Sequence, residues 1–207
     1  MIDQILDALS RIADLGGPVV LILIAASILA TTVVLIKLWQ FKQARVGSHK
    51  ELGAAITAWD AGDHDAARAH LSRSRSYLRD VLDHAMSGQT ESARLNAEAE
   101  TRFARLESGF RLLDSVAQMA PLLGLFGTVL GMISAFQSLQ DAGSHVDPSI
   151  LAGGIWIALL TTAVGLAVAM PTSLVLSWFE TRMDKERTFA ERAIHTVLSP
   201  TEPPRNA

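Results

Sequence analysis

The sequence predicts an all-α, polytopic membrane protein with three transmembrane helices, two of them extended into the cytoplasm, assembled as a homo-oligomeric helical bundle. Three observations lead there. Of its 207 residues 49% are hydrophobic and only 19% charged, below the roughly 25% charged residues usual in soluble domains. The apolar residues lie in three long blocks. Between the blocks, apolar positions recur at helical period. Mean hydropathy is +0.28. A net charge of −3 without a basic stripe argues against a nucleic-acid binder. With no Cys, the chain offers no disulfide framework, thiolate nucleophile or zinc–sulfur site.

The elements follow in order. In residues 1–15, Ile2, Ile5, Leu6, Leu9, Ile12 and Ala13 repeat at helical spacing with acidic residues between them. This reads as an amphipathic helix in the periplasmic interface. The first transmembrane helix is assigned to 16–36, where Pro18 to Ile36 carry no charge. Its acidic flank (Asp3, Asp7 and Asp14 against Arg11) and the lack of a small-residue cleavage site fit an uncleaved signal anchor. Residues 37–114 form a cytoplasmic helical segment, with breaks expected near Gly62 and at Ser87–Gly88. From Glu91 a single stripe runs through Leu95, Ala99, Phe103, Leu106, Phe110, Leu113 and Ala117. That helix is expected to continue straight into the second span.

The second transmembrane helix is 115–140, a periplasmic loop occupies 141–147, and the third span is 148–179. An unbroken helix of 32 uncharged residues exceeds the ~30 Å hydrocarbon core, so it must tilt or protrude. The stripe Phe179, Met183, Ala190, Ile194 and Val197 extends it as a cytoplasmic helix to 198. Residues 199–207 read as a disordered tail. One chain offers little to bury these stripes, which implies a homo-oligomer of parallel helices. Of the 18 Lys and Arg, 12 lie in 37–114 and 5 follow the third span, with none in the 141–147 loop. By the positive-inside rule the N-terminus is periplasmic and the C-terminus cytoplasmic, in a bacterial inner membrane.

The residues suggest no catalytic site and no metal. The six His are dispersed and read as solvated surface groups, and "GLFGTVLG" (Gly124–Gly131) matches neither a dinucleotide nor a Walker loop. The second and third spans instead carry small, weakly polar faces. Around Thr128 stand Ala117, Pro121, Gly124, Gly131 and Ala135; around Thr162 stand Ala158, Gly165, Ala169 and Ser173. Two readings stand. The faces pack tightly against other helices, as Gly127-x-x-x-Gly131 does elsewhere, or they line an axial passage. The first span lacks such a face and reads as peripheral. None of the three uncharged stretches holds an ionisable residue, so a proton route through them needs a carboxylate from another chain.

At "APLLGLFGTVLGMISAF" (Ala120–Phe136) and "GGIWIALLTTAVGLAVAMP" (Gly153–Pro171) the chain resembles the MotA/TolQ/ExbB family of inner-membrane proton-channel subunits, most nearly its ExbB branch. The resemblance implies a homopentamer around a dimer of a small, ExbD-like single-span partner whose membrane Asp carries the proton. It implies no cofactor beyond the proton gradient, and energy delivered to a TonB-like protein. By position, Thr128 and Thr162 match the family's pore threonines, which makes Gly124, Gly131, Ala158, Gly165 and Ala169 lumen lining. Pro121, Ala135, Ile157, Thr161 and Ser173 become lumen or partner contacts. Relatives of the ExbB and TolQ type usually carry Glu where this chain has Ile157. Helical periodicity puts Ile157 about 140° from Thr162, on the Thr161 side. Rival readings are a TolQ-like role in the Tol-Pal envelope system and a membrane scaffold without ion flux.

Overall fold

The computed structural model describes residues 2–88, 91–141 and 148–201, and every regular element among them is an α-helix. The elements are α1 (Ile2–Ala44), α2 (Lys50–Asp60), α3 (His64–Arg73), α4 (Arg79–Met86), α5 (Ser92–Glu107), α6 (Phe110–Asp141) and α7 (Pro148–Leu198). Three stretches, Gly17–Ala44, Phe110–Asp141 and Leu151–Leu198, are long and apolar enough to cross a membrane. The loop expected at 141–147 lies outside the described residues after Asp141. So do the tail from residue 202 and the side chains of the expected amphipathic helix.

The chain divides into two compact units, Met1–Val34 with Gly109–Ser177, and Leu35–Ser108 with Trp178–Ala207. In the first, α1 kinks at Gly17, whose φ of 66° and ψ of −171° leave the helical region. A residue before proline is pushed out of the α basin, and positive φ favours glycine. Pro18 then starts the apolar part of the helix, where its missing N–H is harmless. Val19 and Leu23 pack with Ala120 of α6 and Ala169 of α7, flanked by Leu123, Val164 and Val168. The first span therefore buries one face within the protomer, while Ile22, Ile28 and Leu29 stay exposed.

The second unit is built from short helices. Asp63 caps α3 by accepting the Ala66 N–H at 3.0 Å, after a turn in which Gly62 takes φ +82°. The break at Ser87–Gly88 follows the same logic, with Gly88 at φ +70°. The uninterrupted helix expected from Glu91 into the second span does not form. α5 ends at Glu107 and α6 starts at Phe110, because Gly109 adopts φ +93°, a conformation glycine takes at no steric cost. The stripe survives the break, with Leu95, Ala99, Phe103 and Leu106 buried before it and Phe110, Leu113 and Ala117 after it.

The stripe on α7 corrects the argument for an oligomer. Phe179, Met183, Ala190, Ile194 and Val197 are all buried within a single chain. Phe41 meets Phe179 edge-on at 5.1 Å, and the Trp59 indole donates to the Val197 carbonyl at 3.1 Å. One protomer thus covers the stripe by itself. The residue standing in the seven-residue step from Met183 to Ala190 is Glu186, which is 1% exposed. Its carboxylate accepts from the Tyr77 hydroxyl at 2.7 Å and meets His49 Nε2 at 3.0 Å. Burial, then the bond to Glu186, pushes the Tyr77 hydroxyl far above the usual phenol range, so it remains a donor. His49 is accordingly not a solvated surface histidine, and His70 and His84 pair with Glu51 and Glu98. The tail also starts ordered: Thr201 donates through its backbone N–H and its hydroxyl to Asp60.

Lys37, the first charge after the first apolar block, is 4% exposed. Its ammonium donates to the Leu106 carbonyl at 3.2 Å, the Ser108 hydroxyl at 3.0 Å and the Gln40 amide oxygen at 2.7 Å. The Gln40 amide donates to the Arg105 carbonyl at 3.3 Å. Two side chains of α1 thereby satisfy carbonyls left open by the end of α5, where a cation also suits the helix dipole. Lys37→Met keeps the aliphatic bulk and removes the donor. It should destabilise the protein by about 1–3 kcal/mol and speed proteolysis around residues 107–109, as measured by thermal unfolding and limited digestion in detergent.

Candidate functional site

The candidate site is the seam between α6 and α7 inside the first unit. Small residues set the spacing of these helices. A Cβ built on Gly165 would lie 2.6 Å from the Ala120 carbonyl oxygen and 3.1 Å from the Gly124 Cα. One on Gly124 would lie 2.9 Å from the Thr161 carbonyl oxygen, and one on Gly131 would lie 3.0 Å from the Ala158 Cβ. One on Gly154 would overlap Ala135. The backbones are therefore as close as glycine allows, the contact that small-x-x-x-small patterns provide in membranes. Gly124, Gly131, Ala158, Gly165 and Ala169, expected as passage lining, are placed here in packing within one protomer, with Ala169 in the cluster around Val19 and Leu23. Gly127, against Thr161, belongs to the same seam.

Three threonines behave differently. Thr161 is 2% exposed; its hydroxyl lies 2.7 Å from the Ala158 carbonyl on its own helix and 3.1 Å from the Gly124 carbonyl across the seam. Thr128 is half-buried at the edge of the seam and donates to the Leu125 carbonyl at 2.6 Å. Thr162 differs from both. Its hydroxyl oxygen is shut from solvent and has no hydrogen-bond partner among the described residues. The Ala158 carbonyl, one turn back, is the acceptor a helical Thr normally uses, but Thr161 already donates to it. Thr172 shows the ordinary solution, donating to the Val168 carbonyl at 2.8 Å. Nothing among the described residues bonds Thr128 to Thr162.

Beside the seam lies a cavity of about 570 Å³ lined by Gly17, Pro18, Ser134, Gly153, Ile157 and Thr161 among others. Ile157 and Thr161 thus share a cavity wall, and Thr162 does not line it. Ala135 is buried and also lines this space; Pro121 is half-buried and Ser173 exposed. On the far side of α6, Leu122, Leu125, Phe126, Val129, Ile133 and Phe136 are exposed, so bulky side chains face away from the seam. Among the described residues no group of three His, Asp or Glu side chains could hold a metal ion.

Two expectations follow from this geometry. Gly165→Ala should destabilise the protein by about 1–3 kcal/mol through overpacking, whereas Gly153→Ala, whose Cβ would meet nothing within 4 Å, should leave the unfolding midpoint unchanged. Thr161→Val removes the hydroxyl whose one proton the Ala158 and Gly124 carbonyls share and should cost about 1 kcal/mol. Thr162→Val removes a hydroxyl that bonds to nothing, so it should be neutral or slightly stabilising in the same thermal measurement.

Comparison with known proteins agrees with the seam's composition. The sequence profile of the MotA/TolQ/ExbB proton channel family matches residues 60–192, which include both strings quoted above. The chain is 33% identical over 170 residues to a putative biopolymer transport protein, ExbB-like 1, of Synechocystis sp., covering 77% of this chain and 66% of that one. It is 39% identical over 85 residues to the biopolymer transport protein exbB1 of Vibrio cholerae, covering 39% and 37%. It is 30% identical over 151 residues to the Tol-Pal system protein TolQ of Pseudomonas aeruginosa, covering 66% and 64%. In each case the chain spans less than two thirds of the relative's own length. With a profile match over more than half its length and a glycine- and threonine-lined seam between two spanning helices, this chain belongs to the MotA/TolQ/ExbB proton channel family.

Proposed function

We propose that this chain is the proton-conducting subunit of an inner-membrane motor that turns proton-motive force into mechanical work on a TonB-like protein. Five copies surround a dimer of an ExbD-like single-span partner, with the N-terminus periplasmic and the second unit cytoplasmic. The observation that carries this reading is the unpartnered Thr162 hydroxyl. A buried hydroxyl left open is unfavourable in a folded chain and is characteristic of functional positions. Thr162 is also the residue that matches the family's pore threonine. The chain's uncharged stretches contain no carboxylate or His. The proton therefore resides on the partner's carboxylate, and Thr162 and water serve it from the opposite wall.

In this reading Gly124, Gly131, Ala158, Gly165 and Ala169 have a supporting role. They hold α6 and α7 at the close spacing that fixes the positions of Thr128 and Thr162. Ile157, in place of the usual Glu, lines the cavity beside the seam and takes no proton. Similarity to the Pseudomonas aeruginosa TolQ favours a second reading, in which the same motor serves the Tol-Pal envelope system.

Co-expression with the partner and native mass spectrometry should give five copies of this chain with two of the partner. In proteoliposomes carrying that complex, Thr162→Val should lower proton flux by about tenfold or more while leaving stability intact. Unchanged flux in that variant would remove Thr162 from the proton route, and a wild-type complex that works without conducting would favour a scaffold without ion flux. If the wild-type complex conducts nothing and Ile157→Glu restores flux, the partner's carboxylate alone does not suffice. Growth on limiting iron-siderophore, against detergent sensitivity with a division defect, separates the TonB-type role from the Tol-Pal role.

A further inference from the structure

The second unit holds a cluster that the channel does not use. Arg182, Lys185 and Arg192 on α7 line one cavity of about 270 Å³ with His49, Gly47 and Glu186. Residues 182, 185, 189 and 192 share one helix face, and the three basic residues among them line the same cavity. Lys185 and Arg192 are exposed and take part in no ion pair among the described residues. Arg182 donates to the Val46 carbonyl at 3.2 Å. Its guanidinium lies where a side chain at residue 47 would have to be, which Gly47, with φ +84°, leaves open. Glu186 is the one carboxylate in the lining, and Tyr77 and His49 already satisfy it. Asp184 and Glu191, on the same helix, do not line the cavity.

His49 lines the same cavity. Its Nε2 faces Glu186 and its ring stacks on Phe189 at 3.9 Å. With Nε2–H donating to Glu186, the other ring nitrogen, Nδ1, is an acceptor, shut from solvent and without a hydrogen-bond partner among the described residues. Three cations against one satisfied carboxylate describe a site arranged for an anion.

We propose that this cavity binds a phosphate group. A tetrahedral anion with several oxygens accepts from two guanidinium forks and an ammonium together, which a single chloride does not. Two sources present that chemistry. Arg182 is the first basic residue beyond the uncharged stretch 148–179, within reach of a phospholipid headgroup, and a free phosphate in solution is the other. The site stands independently of the proton-channel reading.

The test uses the full chain purified in an uncharged detergent. Inorganic phosphate is titrated at constant ionic strength against chloride, with the unfolding midpoint and calorimetric affinity as readouts. Native mass spectrometry of the same protein after exposure to phosphatidylglycerol or phosphatidylcholine vesicles reads lipid retention. Lys185→Gln/Arg192→Gln removes two exposed, unpaired charges and should fold as the wild type does, checked by its midpoint without phosphate. Arg79→Gln/Arg94→Gln removes the same charge elsewhere.

A phosphate-dependent rise in midpoint that weakens about tenfold or more in Lys185→Gln/Arg192→Gln, but not in Arg79→Gln/Arg94→Gln, identifies a soluble phosphate as ligand. Selective retention of phosphatidylglycerol that is lost in the first variant, without a response to free phosphate, identifies a headgroup. Binding of neither probe, or binding that the first variant keeps, overturns the proposal.

Discussion

The close approach of α6 and α7 is the constraint on which the first unit depends. Where Gly124, Gly165 and the Thr161 backbone meet, hardly any side-chain volume separates the two helices. In lipid there is little hydrophobic gain from bringing apolar helices together, so dispersion contacts between closely apposed backbones and a few cross-helix hydrogen bonds hold the pair. The Thr161 hydroxyl, 2.7 Å from the Ala158 carbonyl and 3.1 Å from the Gly124 carbonyl across the seam, shares its one proton between them. The bulky residues of α6 turn the other way, to the exposed face. α1 completes the packing with Val19 and Leu23, oriented by the Gly17–Pro18 kink.

That constraint also explains why adjacent threonines differ. A helical hydroxyl ordinarily returns to the carbonyl one turn back. Thr161 and Thr162 stand side by side, and Thr161 bonds the Ala158 carbonyl that Thr162 would need. Close packing at the seam keeps the Thr162 oxygen from solvent at the same time. The orphan hydroxyl is thus a consequence of the doublet and of the seam together.

The second unit is held by different means, through polar groups that bond to one another. Lys37 and Gln40 close the end of α5, Arg187 joins Glu100 and Glu107, and Tyr77 and His49 satisfy the buried Glu186. Each interaction ties a residue of the 35–108 segment to another part of the chain or to α7. A stripe that seems too long for one protomer is covered in this way. The polar positions within it are satisfied, as buried polar groups must be.

Some of this was legible in the sequence and some was not. Three uncharged blocks, a helical apolar period and the glycine breaks at residues 62 and 88 determined an all-helical chain with three membrane-length helices. These features depend on composition and on local backbone preference, which the linear sequence carries. The break at Gly109 was written in the same letters, but the continuous stripe across it hid the signal, since apolar period and backbone continuity are separate properties. Pairing was not legible. Glu186 read as a gap in a stripe, His49 as a surface group and Lys37 as the end of a span, while the hydrogen-bonding of Thr161 and Thr162 left no trace in the sequence. What distinguishes each is which distant atom stands within about 3 Å, and only the tertiary structure decides that, because a hydrogen bond depends on three-dimensional placement and not on spacing along the chain.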